Sequence, residues 1–259
     1  MNTGETTTPG ELVPIVRASL HDFSPSVAAT ARALLETEEV VAGIASFLAQ
    51  LAQANQVMNL TADADPRHVL ATHVRDSLAP LMAGMSAPRT LLDIGTGGGF
   101  PAIPLALAWP DAEVTMSESI GKKARFLQSL VETLPLRHAR VIHGRVEDPA
   151  ANLPHHAFDM ITARGVAHIA VVFQYAHPLL AAHGRIVLWK GERDLAELDD
   201  PPFVATLQRL GYTPAVFSYA LPDIERNSKL VILQEVAPVT ERLRSDPASP
   251  HAGRVTRRS

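Results

Sequence analysis

The chain has no cysteine among its 259 residues, which excludes disulfide scaffolds, thiolate metal sites and a catalytic thiol. That absence fits a reducing cytoplasm, the expected location. Aromatic residues are scarce at 5% and charged residues reach only 19%, yet 46% of the chain is hydrophobic. Such a composition fills a core and excludes a wholly disordered polymer. No stretch approaches about 18 consecutive apolar residues, so no membrane-spanning helix is expected. The opening MNTGETTTPG lacks the basic start and apolar centre of a signal peptide. Positive charge is not in excess either: the formal net charge is −4, which on its own speaks against a nucleic-acid partner.

Charge is unevenly spread. Residues 1–90 carry 5 basic and 9 acidic side chains, a net of −4, and residues 91–236 carry 13 and 16, a net of −3. Residues 237–259 carry 5 and 2, a net of +3, among Pro, Ser and Gly, and read as a mobile basic tail. Residues 1 to about 25, rich in Thr, Pro and Ser, are expected to be poorly ordered. From there to residue 88 the pattern is helical. Val40, Val41, Ile44, Phe47, Leu48 and Leu51 recur at helical spacing. Asp65-Pro66 marks a second helix start, and that helix is expected to run to about Met82.

After Pro88 the periodicity alternates. Short apolar runs at 90–94, 113–117, 140–143, 159–163 and 185–189 are separated by helical patterns at about 101–108, 121–133, 166–180 and 192–210. Strands alternating with helices imply parallel pairing through crossovers, with helices on both faces. Two further strand-like runs, 215–221 and 229–236, follow without a helix between them and predict an antiparallel finish. The fold class is therefore α/β, a doubly wound, mostly parallel seven-stranded sheet in residues 89–236, preceded by a helical extension in 26–88.

The densest local signal is Leu91-Leu92-Asp93-Ile94-Gly95-Thr96-Gly97-Gly98-Gly99-Phe100: a buried strand, a glycine-rich turn, then a helix. In a doubly wound sheet the carboxyl ends of the strands form the ligand crevice, and glycines let backbone approach a ligand closely. Two cofactor classes use such a turn. The dinucleotide fingerprint Gly-x-Gly-x-x-Gly is met at Gly95 and Gly97 but has Phe100 in its third place. With Asp93 just before the turn, the pattern suits S-adenosylmethionine better, whose ammonium group an acidic residue can meet. Glu118 ends the next strand, at the spacing from which a carboxylate reaches ribose hydroxyls. Arg145-Val146-Glu147 follows the third strand, where backbone can read an adenine edge. Arg164 ends the fourth, as a charge near cofactor or substrate or as a structural salt bridge.

Together, Asp93-Ile-Gly-Thr-Gly-Gly-Gly-Phe-Pro-Ala-Ile-Pro104, Glu118-Ser-Ile-Gly-Lys-Lys-Ala-Arg-Phe-Leu127, Gly144-Arg-Val-Glu147, Thr162-Ala-Arg164 and Leu188-Trp-Lys-Gly191 resemble the glucose-inhibited division protein B family. Asn59-Leu60-Thr61 and His73-Val-Arg-Asp-Ser-Leu78 resemble two further segments of it. The likeness covers roughly residues 36–236. It implies a Rossmann-like methyltransferase fold and transfer of a methyl group from S-adenosylmethionine to a guanine N7 of 16S ribosomal RNA. It also implies cofactor contacts at Gly95, Phe100, Val146, Glu147 and Arg164. Three positions depart from the family pattern: Glu118 stands where many members have Asp, Gly98 where the usual turn has Pro, and Ala163-Arg164-Gly165 where Ser-Arg-Ala is usual.

Guanine N7 offers an in-plane lone pair and has no proton to lose, so no general base and no catalytic side chain are expected, and no metal. His73, inside a family-like segment, is the histidine that merits a test. RNA contacts are expected from Lys122, Lys123, Arg125, Arg140, Arg145 and Lys190, with phosphates and guanine O6 as targets because N7 must stay free. The partner is 16S RNA or the small ribosomal subunit. The competing readings are a small-molecule methyltransferase on the same fold, a dinucleotide-dependent redox enzyme, and a non-enzymatic RNA-binding module.

Overall fold

Why the chain after Pro88 forms a sheet is visible in how its strands divide their side chains. A computed structural model describes residues 7–23, 27–63, 65–221, 224 and 227–235. Successive strand residues point to opposite faces. Leu91, Met160 and Val187 lie in one hydrophobic core, while their neighbours Leu92, Ile161 and Ile186 lie in a second. Both faces are therefore buried, as parallel strands require. The strands are β1 (Thr90–Ile94), β2 (Glu113–Glu118), β3 (Ala139–His143), β4 (Phe158–Arg164), β5 (Leu180–Lys190), β6 (Tyr212–Ala220) and β7 (Asn227–Glu235). Their spatial order is β3-β2-β1-β4-β5-β7-β6. β1 to β5 pair in parallel, and β7 runs antiparallel to both β5 and β6. The winding reverses between β1 and β4, which makes the carboxyl ends of those strands the crevice of the fold.

The first face is covered by the amino-terminal helices. These are α1 (Pro9–Phe23), α2 (Ala29–Leu35), α3 (Glu38–Met58), α4 (Pro66–Val69), α5 (Arg75–Ser77) and α6 (Ala79–Met82). Helix α7 (Ala102–Ala108) follows β1, and every one of its residues is buried. A helix apolar all round needs cover on all sides, and α3 supplies it. A Cβ at Gly43 of α3 would lie 2.6 Å from Leu107 Cδ2 of α7, so glycine permits the close approach. The second face carries α9 (Ile169–Ala176) and α10 (Pro201–Leu210); α8 (Gly121–Thr133) links β2 to β3.

Several sequence expectations need correction. Residues 9–23 are a helix, not poorly ordered chain: Leu12, Val16, Leu20 and Phe23 form a buried stripe at helical spacing, which the surrounding Thr, Pro and Ser mask. The rest of that segment (1–6 and 24–25) lies outside the described residues, as does the basic tail 237–259. The second preface helix starts as expected, Asp65 Oδ1 accepting from Arg67 N at 2.9 Å. It is then broken by a π-turn at Leu70–Val74 and by a restart at Ala79–Met82. The pattern at 192–210 is a 3-10 run, Glu192–Asp199, followed by α10. β5 begins at Leu180, five residues earlier than its apolar run: Leu180 pairs with Phe158 and Arg185 with Met160, across an irregularity in the ladder with β4.

Candidate cofactor crevice and adjoining pocket

The glycine turn is built by backbone hydrogen bonds. Gly95 N and Thr96 N donate to Ser117 O at 2.9 and 3.1 Å, tying the exit of β1 to β2, and Gly99 N donates to Thr96 O at 3.0 Å. Gly97 has φ +62 and open space where a Cβ would stand, the nearest atom being Gly95 O at 3.8 Å. Gly99 differs: φ is +106, and a Cβ would lie 2.9 Å from Ile103 Cγ1 and 3.0 Å from the Phe47 ring. Gly99→Ala is expected to lose about 2–4 kcal/mol, from a strained backbone and forced overpacking. Urea unfolding would measure this, and a loss below about 1 kcal/mol would contradict it.

Glu118 is buried and clasps this turn. Its Oε2 accepts from Gly97 N and its Oε1 from Ile120 N, both at 2.8 Å. A carboxylate offers about four acceptor sites, so two remain for ribose hydroxyls. Gly95, Val146 and Glu147 are brought together, with Ile94 and Val166, around a cleft of about 90 Å³. Phe100 takes another position. It is buried against Phe47 and His73, with ring centroids 5.2 and 5.3 Å away, and Arg164 Cζ stands 5.2 Å from its centroid.

Asp93 is wholly buried. Its Oδ1 accepts from Thr162 Oγ1 at 2.6 Å, while Oδ2 has no partner among the described residues. Burial pushes its carboxyl up to about 7, against the donors Thr162 and Thr96. The residues fit S-adenosylmethionine: an unpaired buried carboxylate oxygen at the end of β1 suits an ammonium, Glu118 keeps acceptors for ribose, and open space lies over Gly97.

Beside the cleft lies a polar pocket of about 280 Å³. Arg164, at the end of β4, donates from Nη1 to Asp76 Oδ2 at 3.0 Å and from Nη2 toward His73 Nδ1 at 2.9 Å. Arginine has no acceptor, so Nδ1 is the unprotonated nitrogen of a neutral ring. Burial first, and then the Arg164 charge, hold His73 down at about 4. Asp76 Oδ1 accepts from Tyr219 Oη at 2.6 Å, and Asp76 O from Trp189 Nε1 at 2.8 Å. Asp76 lies in the segment His73–Leu78 and Trp189 in Leu188–Gly191, but nothing in those segments alone marks these contacts. Tyr219 had no local signal at all.

The expected RNA contacts divide. Lys122 and Arg125 are exposed and Lys123 is half-buried in the first turns of α8, on the crevice side. Arg145 lies 3.6 Å from Glu147. Lys190 donates to Ala167 O at 2.9 Å and pairs with Glu197 at 3.6 Å. Arg140 is a correction. It stands near the start of β3, at the amino ends of the strands, where its Nε donates to Thr115 Oγ1 and it lines a cavity with Glu113 and His138. Among the described residues no group of three or more His, Cys, Asp or Glu could hold a metal, and no helix is long and apolar enough to cross a membrane.

The two strongly shifted groups beside the crevice in this pH range, Asp93 and His73, make opposite contributions to stability. Asp93 ordinarily titrates at 3.8 but near 7 when folded, so the folded state binds its proton more tightly and stability falls from about pH 4 to 7. His73 goes from 6.5 to about 4, so stability rises over about pH 4 to 6.5. The wild-type curve is expected to be shallow in that window. Asp93→Asn removes the first contribution, and its stability should climb with pH between 4 and 6.5. Urea titrations across that range test this, and a variant as flat as the wild type would contradict it.

An open sheet whose seventh strand is reversed and lodged between the fifth and sixth, with a glycine turn leaving β1 and a carboxylate ending β2, is the frame of the S-adenosylmethionine-dependent methyltransferases. The match to solved structures is at the level of fold. The chain is similar to cofactor-bound Rv0187 from MTB, with TM-score 0.53, 24% identity, and 74% of this chain and 88% of that one covered. It is also similar to the O-methyltransferase TomG from Streptomyces achromogenes, with TM-score 0.53, 19% identity, and 87% and 99% covered. The family model for GidB, rRNA small subunit methyltransferase G, matches residues 27–216. Proteins named ribosomal RNA small subunit methyltransferase G are 36% identical in Chloroflexus aggregans, covering 82% of this chain and 93% of that protein, and 38% identical in Sorangium cellulosum, covering 68% and 75%. The chain belongs to the GidB family of rRNA small subunit methyltransferases. The dinucleotide-dependent redox alternative is thereby removed.

Proposed function

We propose that this protein transfers the methyl group of S-adenosylmethionine to N7 of a guanine in 16S ribosomal RNA, by in-line displacement without a general base. Family membership supports the RNA substrate. The observation that carries the N7 assignment is the state of His73. Among the described residues lining the crevice cleft and the pocket beside it, His73 is the sole imidazole, and it is neutral with Nδ1 taken up by Arg164. A hydroxyl acceptor would need a group to take its proton. Besides that imidazole the lining carboxylates are engaged, Asp76 by Arg164 and Tyr219, Asp194 by Gly191 N and Glu147 by Arg145. A guanine N7 needs no such group. Bound in the crevice, the cofactor supplies an electrophilic methyl group to that nitrogen.

The chain's own residues supply position. Asp93 and Glu118 would meet the ammonium and ribose, and Gly97 would let the cofactor lie against backbone. Gly95 would line the cleft together with Val166, and Val146 with Glu147 would flank the adenine. Arg164, on the Phe100 ring and held by Asp76, fixes the wall between cleft and pocket. Positioning of this kind is worth about 7–11 kcal/mol of barrier in favourable cases. Residues 26–88 would act as a helical extension of the methyltransferase domain at 89–236. Lys122, Lys123, Arg125 and Arg145 would meet phosphates, with the +3 of residues 237–259 adding to the grip. A chain of net −4 holds naked RNA weakly, which favours the small subunit in the cytoplasm as the substrate. Transfer of labelled methyl to small subunits, followed by mapping, tests the proposal. Label absent from the RNA, or located on an atom other than a guanine N7, would overturn it.

A further inference from the structure

We infer that the polar pocket beside the crevice receives the target guanine, flipped out of its stack, and that Lys190 reads its O6. This rests on the proposed guanine substrate and adds where the base sits and what selects it. The pocket, about 280 Å³, is bounded by His73, Arg164, Gly165, Trp189, Lys190 and Tyr219. That is just below the roughly 300–1,000 Å³ of small-molecule sites, a size for one base and not for a helix. Its location is the stronger argument. The exit of β4 separates it from the cofactor cleft: Arg164 and Gly165 border the pocket, and the next residue, Val166, borders the cleft. At Gly165, φ +67, an added Cβ would meet nothing within 4 Å, so no side chain stands over the backbone that divides the two spaces. A base in the pocket and a methyl donor in the cleft would face each other across this glycine.

Within the pocket Lys190 has the chemistry to recognise O6. An ammonium has three N–H donors; one goes to Ala167 O at 2.9 Å, and Glu197 Oε2 stands 3.6 Å away. The side chain is only 12% exposed, so the bonds fix its direction. A donor to O6 accepts guanine and rejects adenine, whose position 6 carries an amine. A bare cation there would oppose the positive charge growing on the methylated ring. Glu197 offsets that charge, and its other contacts, to Ile169 N and His168 Nδ1, hold it in place.

A cycle tests this, crossing wild type and Lys190→Met with reconstituted small subunits whose RNA bears guanine or 2-aminopurine, which lacks O6, at the target. Lys190→Met should lower kcat/KM on guanine roughly 10- to 100-fold, the worth of a hydrogen bond to a charged group. It should cause little further loss on 2-aminopurine, and calorimetric affinity for S-adenosylmethionine should be unchanged. Lys190→Gln, which keeps an N–H for Ala167 O, repeats the cycle with the fold better protected. Glu197→Gln keeps an acceptor for Ile169 N but removes the offsetting charge, and should lower kcat more than it alters KM. If Lys190 variants lose the same factor on both bases, the pocket assignment falls while the methyltransferase reading stands. If wild-type protein methylates neither kind of subunit, the reading itself falls, and the assignment with it.

Discussion

Gly97→Glu is expected to abolish S-adenosylmethionine binding while leaving most of the fold intact. Gly97 sits at φ +62, where an L side chain costs roughly 1–2 kcal/mol, and a Cβ there meets only Gly95 O, at an ordinary contact distance of 3.8 Å. Strain alone therefore leaves the domain folded. The introduced carboxylate, however, enters the crevice beside Glu118, whose Oε2 is 2.8 Å from Gly97 N, and near buried Asp93. Like charges at close range disfavour one another, and the new side chain fills the volume that the cofactor requires. Calorimetry should give no heat of binding. Gly97→Ala separates the two causes: it brings the strain without charge or bulk, and its affinity should fall by no more than about tenfold, the equivalent of about 1.4 kcal/mol. Unchanged affinity in Gly97→Glu would show that the crevice lies elsewhere.

What the sequence disclosed follows from how local each feature is. The strand runs at 90–94 and 113–117 and the turn between Gly95 and Gly99 are written in adjacent residues, so periodicity and glycine density suffice to locate them. The sequence pattern misplaces Arg140 at the crevice, because position along a strand tells which end is near only once register is known. β3 pairs Arg140 with Thr115, near the start of β2, and that pairing puts the guanidinium at the far end. Glu118 looked like a ribose ligand from spacing alone, and its clasp on Gly97 N depends on the turn's three-dimensional path. Helix α1 was hidden because a stripe of four apolar residues is diluted by Pro, Thr and Ser nearby. The bonds meeting at Asp76 were the least legible. They join residues 88, 113 and 143 positions apart, and no local pattern encodes contacts at such distances.

Those contacts make Asp76→Ala the largest expected loss of stability. Asp76 and Arg164 retain only 11% and 18% side-chain exposure, so solvent screens the pair weakly. Removing the carboxylate strips Arg164 of its 3.0 Å partner and leaves the neutral His73 ring, which offsets no charge. It also takes the acceptor from Tyr219 Oη, a hydroxyl whose pKa is raised by burial and by the Asp76 charge, so it stays protonated and needs that acceptor. Breaking a buried pair from one side costs about 3–5 kcal/mol. At about 2–4 °C per kcal/mol for a chain of this size, the melting temperature should drop by roughly 6–20 °C. Asp76→Asn keeps an acceptor for Tyr219 and the side-chain shape while losing the charge, so its loss should be smaller. The bond from Trp189 Nε1 to the Asp76 backbone oxygen survives in both. Cofactor affinity should weaken too, since Arg164 is then free to leave the Phe100 ring. A melting temperature within about 2 °C of wild type, equivalent to less than about 1 kcal/mol, would show that the Asp76 carboxylate is not what holds Arg164 there.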